Sequence, residues 1–123
     1  MKAGKLGKVY DKGEVIVREG ETDDCMYEIL EGKVEVLQER EGKEVRLAVL
    51  DKGDFFGEMA IFEKEVRSAT VRAMGEVRAL TIDKRTLLRR ISEDPTLAFR
   101  IVERMSHRIR ELDNEIVRLK ASC

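Results

Sequence analysis

A chain of 123 residues with 42% hydrophobic content can bury a real core, so one domain is expected over residues 1–123. Charged side chains make up 40% of the chain but cancel to a net −1, which removes any general attraction to nucleic acid or anionic membranes. No run approaches ~18 consecutive apolar residues, M-K-A-G-K-L-G-K has no apolar core, and Cys25 and Cys123 are too few for a disulfide framework. A membrane span, a secretory leader and a disulfide scaffold are therefore not expected, and a reducing cytoplasm is.

From Val9 to Ile82 the pattern is strands and turns. Val34 and Val36 alternate with Glu35, then Val45, Leu47 and Val49 with Arg46 and Ala48, then Val77 and Ala79 with Glu76 and Arg78. Period two predicts one buried and one wet face, with the valine and leucine sets inward. Arg40-Glu41-Gly42-Lys43 reads as a hairpin connection between two such runs. Many short strands with glycine turns predict a mainly β, α+β fold: an antiparallel roll, jelly-roll-like, over about residues 9–82. G-E-M-A-I-F is the exception, a short helical turn in a β context.

After Ile82 the period changes to that of a helix. Asp83 is placed to cap a helix over about residues 83–92. Asp94 and Pro95 begin a second, over about residues 95–120. Leu97, Ile101, Met105, Ile109, Leu112, Ile116 and Leu119 form one apolar stripe along it. The last four are spaced like a heptad seam, flanked by Arg108, Arg110, Glu111, Glu115 and Arg118. Some 25 residues rise roughly 40 Å, more than so small a domain covers. A partner helix is the simplest cover, and a homodimer through this helix is expected.

The stretch from Phe55 to Ala73, F-F-G-E-M-A-I-F-E-K-E-V-R-S-A-T-V-R-A, concentrates chemistry suited to a sugar phosphate. Gly57 stands at a helix start, where unpaired N–H groups and the positive end of a dipole favour an anion. Glu58 follows it, and a carboxylate accepts hydrogen bonds from ribose hydroxyls. Arg67 brings a rigid fork of donors matched to phosphate oxygens. Ser68 and Ala69 are small enough for backbone amides to come close.

This stretch resembles the phosphate-binding cassette of cyclic-nucleotide-binding domains, as found in the bacterial catabolite activator family, protein kinase A regulatory subunits and cyclic-nucleotide-gated channels. Upstream, G-E-V-I-V-R-E-G-E-T-D-D-C-M-Y-E-I-L-E-G-K-V-E-V is similar to the family's first strands, and L-D-K-G-D-F-F-G-E leads into the cassette. The resemblance implies a ligand, cAMP or cGMP, and no cofactor. It implies that Arg67 binds the phosphate, that Glu58 accepts the ribose 2′-hydroxyl, and that Gly57, Met59 and Ala60 line the cassette. Ser68 and Ala69 would present amides to the phosphate. A threonine at position 68 would favour guanine, so Ser68 points to cAMP. The C-terminal helix is implied to lie over the base, which makes Arg108, Leu112 and Asp113 candidate base contacts. Val66 stands where the family commonly has proline, and Glu63-Lys64-Glu65 places two carboxylates near the anion site; both changes favour weaker binding.

Catalysis is not expected. His107 is the only histidine, which argues against a metal site and against the cupin use of a similar roll. No nucleophile–histidine arrangement is legible. Two alternatives stay open: an interaction module that kept the fold and lost the ligand, and a ligand-binding fragment of a transcription regulator or kinase. Signalling through an unidentified output protein is the expectation under the sensor reading.

Overall fold

The computed structural model describes residues 6–63 and 66–122. The chain divides into two compact units, residues 1–87 and 88–123, and each is described by itself.

Within the described residues the first unit holds β1 (Lys8–Tyr10), β2 (Val15–Val17), β3 (Cys25–Glu31), β4 (Val34–Arg40), β5 (Lys43–Leu50), β6 (Phe55–Phe56), α1 (Met59–Phe62), β7 (Thr70–Ala73) and β8 (Val77–Asp83). The strands form two four-stranded antiparallel sheets, ordered β1-β8-β3-β6 and β2-β7-β4-β5. Side chains from both sheets, Tyr27, Ile29, Val34, Val36, Val71 and Val77 among them, make one core. This is the expected mainly β roll with a short internal helix.

The β4–β5 hairpin closes through Glu41 and Gly42, with φ of +52° and +78°, between the paired residues Arg40 and Lys43. Two successive residues at positive φ give a turn whose twist matches that of the strands it joins. The expected face of β5, however, is reversed. Val45, Leu47 and Val49 are exposed, while Ala48 packs on the core and Leu50 is buried. The register between β4 and β5 shifts near Val36 and Leu37, and β5 is the last strand of its sheet. Ala48 and Leu50 stand opposite the buried Val36 and Val34, so pairing with β4 sets the phase, which alternation alone does not reveal.

Helix α2 (Lys84–Glu93) spans the division between the units, and α3 (Thr96–Ala121) lies in the second. The Asp83 carboxylate accepts the Thr86 N–H at 2.7 Å, the cap the sequence predicts. At the start of α3 the Asp94 carboxylate accepts both the N–H and the hydroxyl of Thr96. The apolar stripe is not uniform. Leu97 and Ile101 are buried and Met105 is half-buried, but Ile109, Leu112, Ile116 and Leu119 are all at least half exposed. His107 is exposed and faces Glu111 one turn on at 3.4 Å.

Candidate functional site

The cassette runs from the end of β6, through α1, to β7. Its centre is Arg67, a buried arginine with 6% of its surface exposed. Nη1 donates to the Gly57 carbonyl at 2.9 Å, and Nη2 donates to the Cys25 carbonyl at 2.7 Å. Nη2 also lies 3.0 Å from a carboxylate oxygen of Asp23. The guanidinium stands 5.9 Å from the centre of the Tyr27 ring, which itself stacks on Phe56 at 5.0 Å. Nε is buried and has no hydrogen-bond partner among the described residues.

Backbone bonds hold this arginine in place. The Arg67 N–H donates to the Glu21 carbonyl at 2.8 Å, and the Gly20 N–H donates to the Arg67 carbonyl at 2.9 Å. The loop before β3 and the cassette are thereby stitched together, and the side chain turns inward. Gly57 makes room for it. Its φ is +78°, and a Cβ there would lie 2.6 Å from Arg67 Nη1. Only glycine meets both the backbone angle and the close approach.

The other expected cassette residues are placed less uniformly. Ala60 is buried, and Ala69 is half-buried against the core. Ser68 is exposed, and its carbonyl accepts from Gln38 Nε2 at 2.8 Å. Glu58 is half-buried at the start of α1, and its side chain makes no capping hydrogen bond. Its carboxylate is therefore not consumed by the helix end. Met59 is exposed. Lys64 and Glu65 of the acidic loop, like Cys123, lie outside the described residues.

The expected helix dipole needs correction. Helix α1 has only four residues, too few for its peptide dipoles to sum to the effect of a long helix. The cationic character of the site comes from Arg67. A short strand, β6, on one side and a turn at Glu63 on the other leave no room for a longer helix.

Asp23 and Tyr27 are the site residues that sequence reasoning missed. Asp23 lies 44 positions from Arg67 in no recognisable spacing. The only signal was the acidic pair Asp23-Asp24 just before an apolar strand. Burial alone would raise the Asp23 carboxyl, but the hydrogen bond and charge of Arg67 and the N–H groups of Cys25 and Asp24 outweigh it. The carboxyl is held below its ordinary value of 3.8. The Tyr27 hydroxyl donates to Asp23 at 3.3 Å, and burial together with the Asp23 charge pushes its pKa to about 12.

The pair carries a pH prediction. A carboxyl whose folded pKa is depressed contributes stability above its unfolded pKa and loses it as pH falls through the folded one. At pH 7 the parent should therefore melt above an Asp23→Asn variant. The gap should close as pH falls below about 3.8. Melting curves of both proteins from pH 7 down to pH 2.5 check this. A gap that persists unchanged at the acid end would show that the charge of Asp23 is not what holds Arg67.

Asp23, Asp24 and Cys25 also bring three ligand atoms within 4.8 Å of one another. Arg67 already occupies Asp23. Burial, Asp24 and the neighbouring carboxylates push the Cys25 thiol to about 11, so it keeps its proton at neutral pH. That donor set suits neither a metal, which needs the thiolate, nor nucleophilic chemistry. A groove of about 350 Å³ on the sheet of β4, β5 and β7 is lined by Glu19, Glu39 and Glu44 with Leu37, Gln38 and Thr70. Its three carboxylates repel an anion.

Arg108, Leu112 and Asp113 lie on α3, in the second unit. Arg108 is half-buried, and the other two are exposed. Among the described residues no helix is long and apolar enough to cross a membrane.

The chain belongs to the cyclic nucleotide-binding domain family, whose model matches residues 7–94. A Rhodopseudomonas palustris protein that carries the name of a potassium channel is 38% identical over 116 residues, covering 92% of this chain and 27% of its own length. A Mycobacterium tuberculosis protein, the CRP-like cAMP-activated global transcriptional regulator, is 29% identical over 111 residues, covering 89% of this chain and 50% of its own. The crystal structure of the Thermus thermophilus catabolite activator protein superposes with a TM-score of 0.75 at 29% identity, over 92% of this chain and 54% of that one. The chain thus spans between about a quarter and a half of the length of these relatives.

Proposed function

We propose that this domain is a non-catalytic sensor that binds cAMP or cGMP through residues 57–69 and relays binding to α3. The observation that carries this reading is the buried Arg67, whose Nε is still unpaired among the described residues. A buried guanidinium with a donor in reserve is costly unless an acceptor arrives. A singly charged cyclic phosphodiester is such an acceptor. Glu58, free of capping duty, takes the ribose 2′-hydroxyl, and the amides of Ser68 and Ala69 complete the phosphate cradle. Ser68 in place of threonine favours cAMP. Val66, exposed before Arg67, leaves the loop freer than proline would and lowers affinity.

The relay is a population shift in α3, limited to the nucleotide's differential affinity for the two helix states. The free thiol of Cys25 suits a reducing cytoplasm. Self-association through the exposed residues Ile109, Leu112, Ile116 and Leu119 belongs to the same proposal, as does an output protein reached from α3. A second reading of α3 makes Arg108, Leu112 and Asp113 a lid over the base. It applies if the chain proves monomeric, because Leu112 then needs another cover.

Thermal melting tests the ligand. A nucleotide at a hundred times its Kd adds about 2.7 kcal/mol, on the order of 10 °C in Tm for a domain of this size. Cyclic AMP or cyclic GMP should produce such a shift, and the linear 5′-monophosphates much less, since an open dianion fits a diester cradle badly. No shift with either cyclic nucleotide at millimolar concentration would leave a module that kept the fold and lost the ligand.

A further inference from the structure

The charges of this chain are not spread evenly. Residues 84–123 hold ten lysines and arginines against six acids, while residues 1–83 hold fourteen against nineteen. Most of the positive surplus sits on α2, K-R-T-L-L-R-R-I-S-E. Leu87 is buried and Ile91, four residues on, is half-buried, so these two fix the inward side of the helix. At about 100° per residue, Lys84, Leu88, Ser92, Arg85 and Arg89 share one arc of roughly 140° on the outward side. All five are exposed. The nearest acid on the helix is Glu93, its last residue, which lies past Arg89. Among the described residues no ion pair or side-chain hydrogen bond engages Lys84, Arg85 or Arg89.

A single exposed leucine is ordinary. Leu88 differs in its setting, because it is 57% exposed with three unengaged cations around it. Lysine and arginine lay their stems along apolar surface and keep their charged heads in water. Whatever covers Leu88 must therefore also meet those heads, and only an acidic surface does so without leaving a cation desolvated and unpaired. Three kinds of acidic surface differ in what they need. An anionic membrane takes clusters of ~4–8 cations or a broad apolar face. Duplex DNA takes a stripe of cations that neutralises several phosphates. The outward side of α2 offers three cations and one leucine along a helix of ten residues, about 15 Å. A protein surface with a few carboxylates around a socket for one apolar side chain matches both its size and its charge.

We infer that the outward face of α2, Lys84, Arg85, Leu88 and Arg89, is a docking surface for an acidic protein segment that carries one apolar anchor. Leu88 fills a socket on that segment, and the three cations pair with its carboxylates. The face contains no cassette residue and none of the exposed apolar residues from Ile109 onward in α3. It is therefore independent of nucleotide binding and of contacts between copies.

The full chain is titrated at low salt with a panel of labelled synthetic peptides. Each peptide carries four glutamates around a central leucine, phenylalanine or serine. Binding should be seen for the leucine and phenylalanine peptides, should fall by about tenfold for the serine peptide, and should weaken as salt is raised. Arg85→Glu and Arg89→Glu should each weaken binding by about tenfold, because a like charge then faces the acidic peptide. Lys12→Glu makes the same change of charge at an exposed position far along the chain and should leave binding within about twofold. Leu88→Ser should remove the preference for an apolar centre. All of these side chains are exposed, and circular dichroism confirms that each variant keeps its fold. No binding of any acidic peptide would overturn the inference, as would binding that Arg85→Glu and Arg89→Glu leave unchanged. Phosphatidylserine vesicles and duplex DNA are run alongside. If either binds more tightly than the peptides, and the same two variants abolish it, the occupant is a membrane or a nucleic acid and the protein segment is wrong.

Discussion

Arg67→Ala should raise the Kd for the cyclic nucleotide by roughly 30-fold to several thousand-fold. Removing one partner of a desolvated charge pair typically costs ~2–5 kcal/mol, and each 1.4 kcal/mol is about tenfold in Kd. The structure adds a second consequence that the sequence did not foretell. Arg67 also satisfies the carbonyls of Gly57 and Cys25 and the carboxylate of Asp23. The alanine variant therefore melts lower even without ligand, and affinity must be read by titration at a temperature where the variant is folded. Arg67→Lys separates the two effects. A lysine restores a positive charge near Asp23 but lacks the planar fork, so it should recover part of the stability and less of the affinity. An alanine variant that is folded and binds within threefold of the parent would move the phosphate away from Arg67.

Replacing Leu112 and Ile116 together with glutamate should convert a dimer into a monomer. In the single chain both are about half exposed. Covering the remaining surface of Ile109, Leu112, Ile116 and Leu119 contributes roughly 1 kcal/mol per side chain on each helix, before the cost of association. Two glutamates per helix at adjacent d and a positions remove half of that gain and bring four like charges together. Sedimentation should report a monomer across the micromolar range, while the β-rich circular dichroism signal stays, because neither residue belongs to the core of the roll. A double variant that still sediments as a dimer would mean that the chains associate elsewhere, and the exposed residues Val45, Leu47 and Val49 of β5 would be the next surface to probe.

Local pattern was sufficient for much of this protein. The hairpin at Arg40–Lys43, the cap at Asp83, the change from strands to helices after Ile82 and the 26-residue length of α3 are all decided by residues near one another in the chain. Gly57, Glu58 and Arg67 likewise lie within one short segment whose composition suits a sugar phosphate. Tertiary structure alone decided which face of β5 is buried. Periodicity specifies alternation but not phase, and the phase came from pairing with β4, which sets Leu50 and Ala48 opposite the buried Val34 and Val36. It also decided the surroundings of Arg67. Asp23 and the Cys25 carbonyl reach it across more than forty residues, through a loop held to the cassette by two backbone hydrogen bonds. Contacts that long in sequence leave no spacing to read, since nothing in either segment records the other. The uneven stripe of α3 has the same origin: each apolar side chain signals burial, and only the fold shows that Leu97 and Ile101 are covered within the chain while the heptad from Ile109 onward is not.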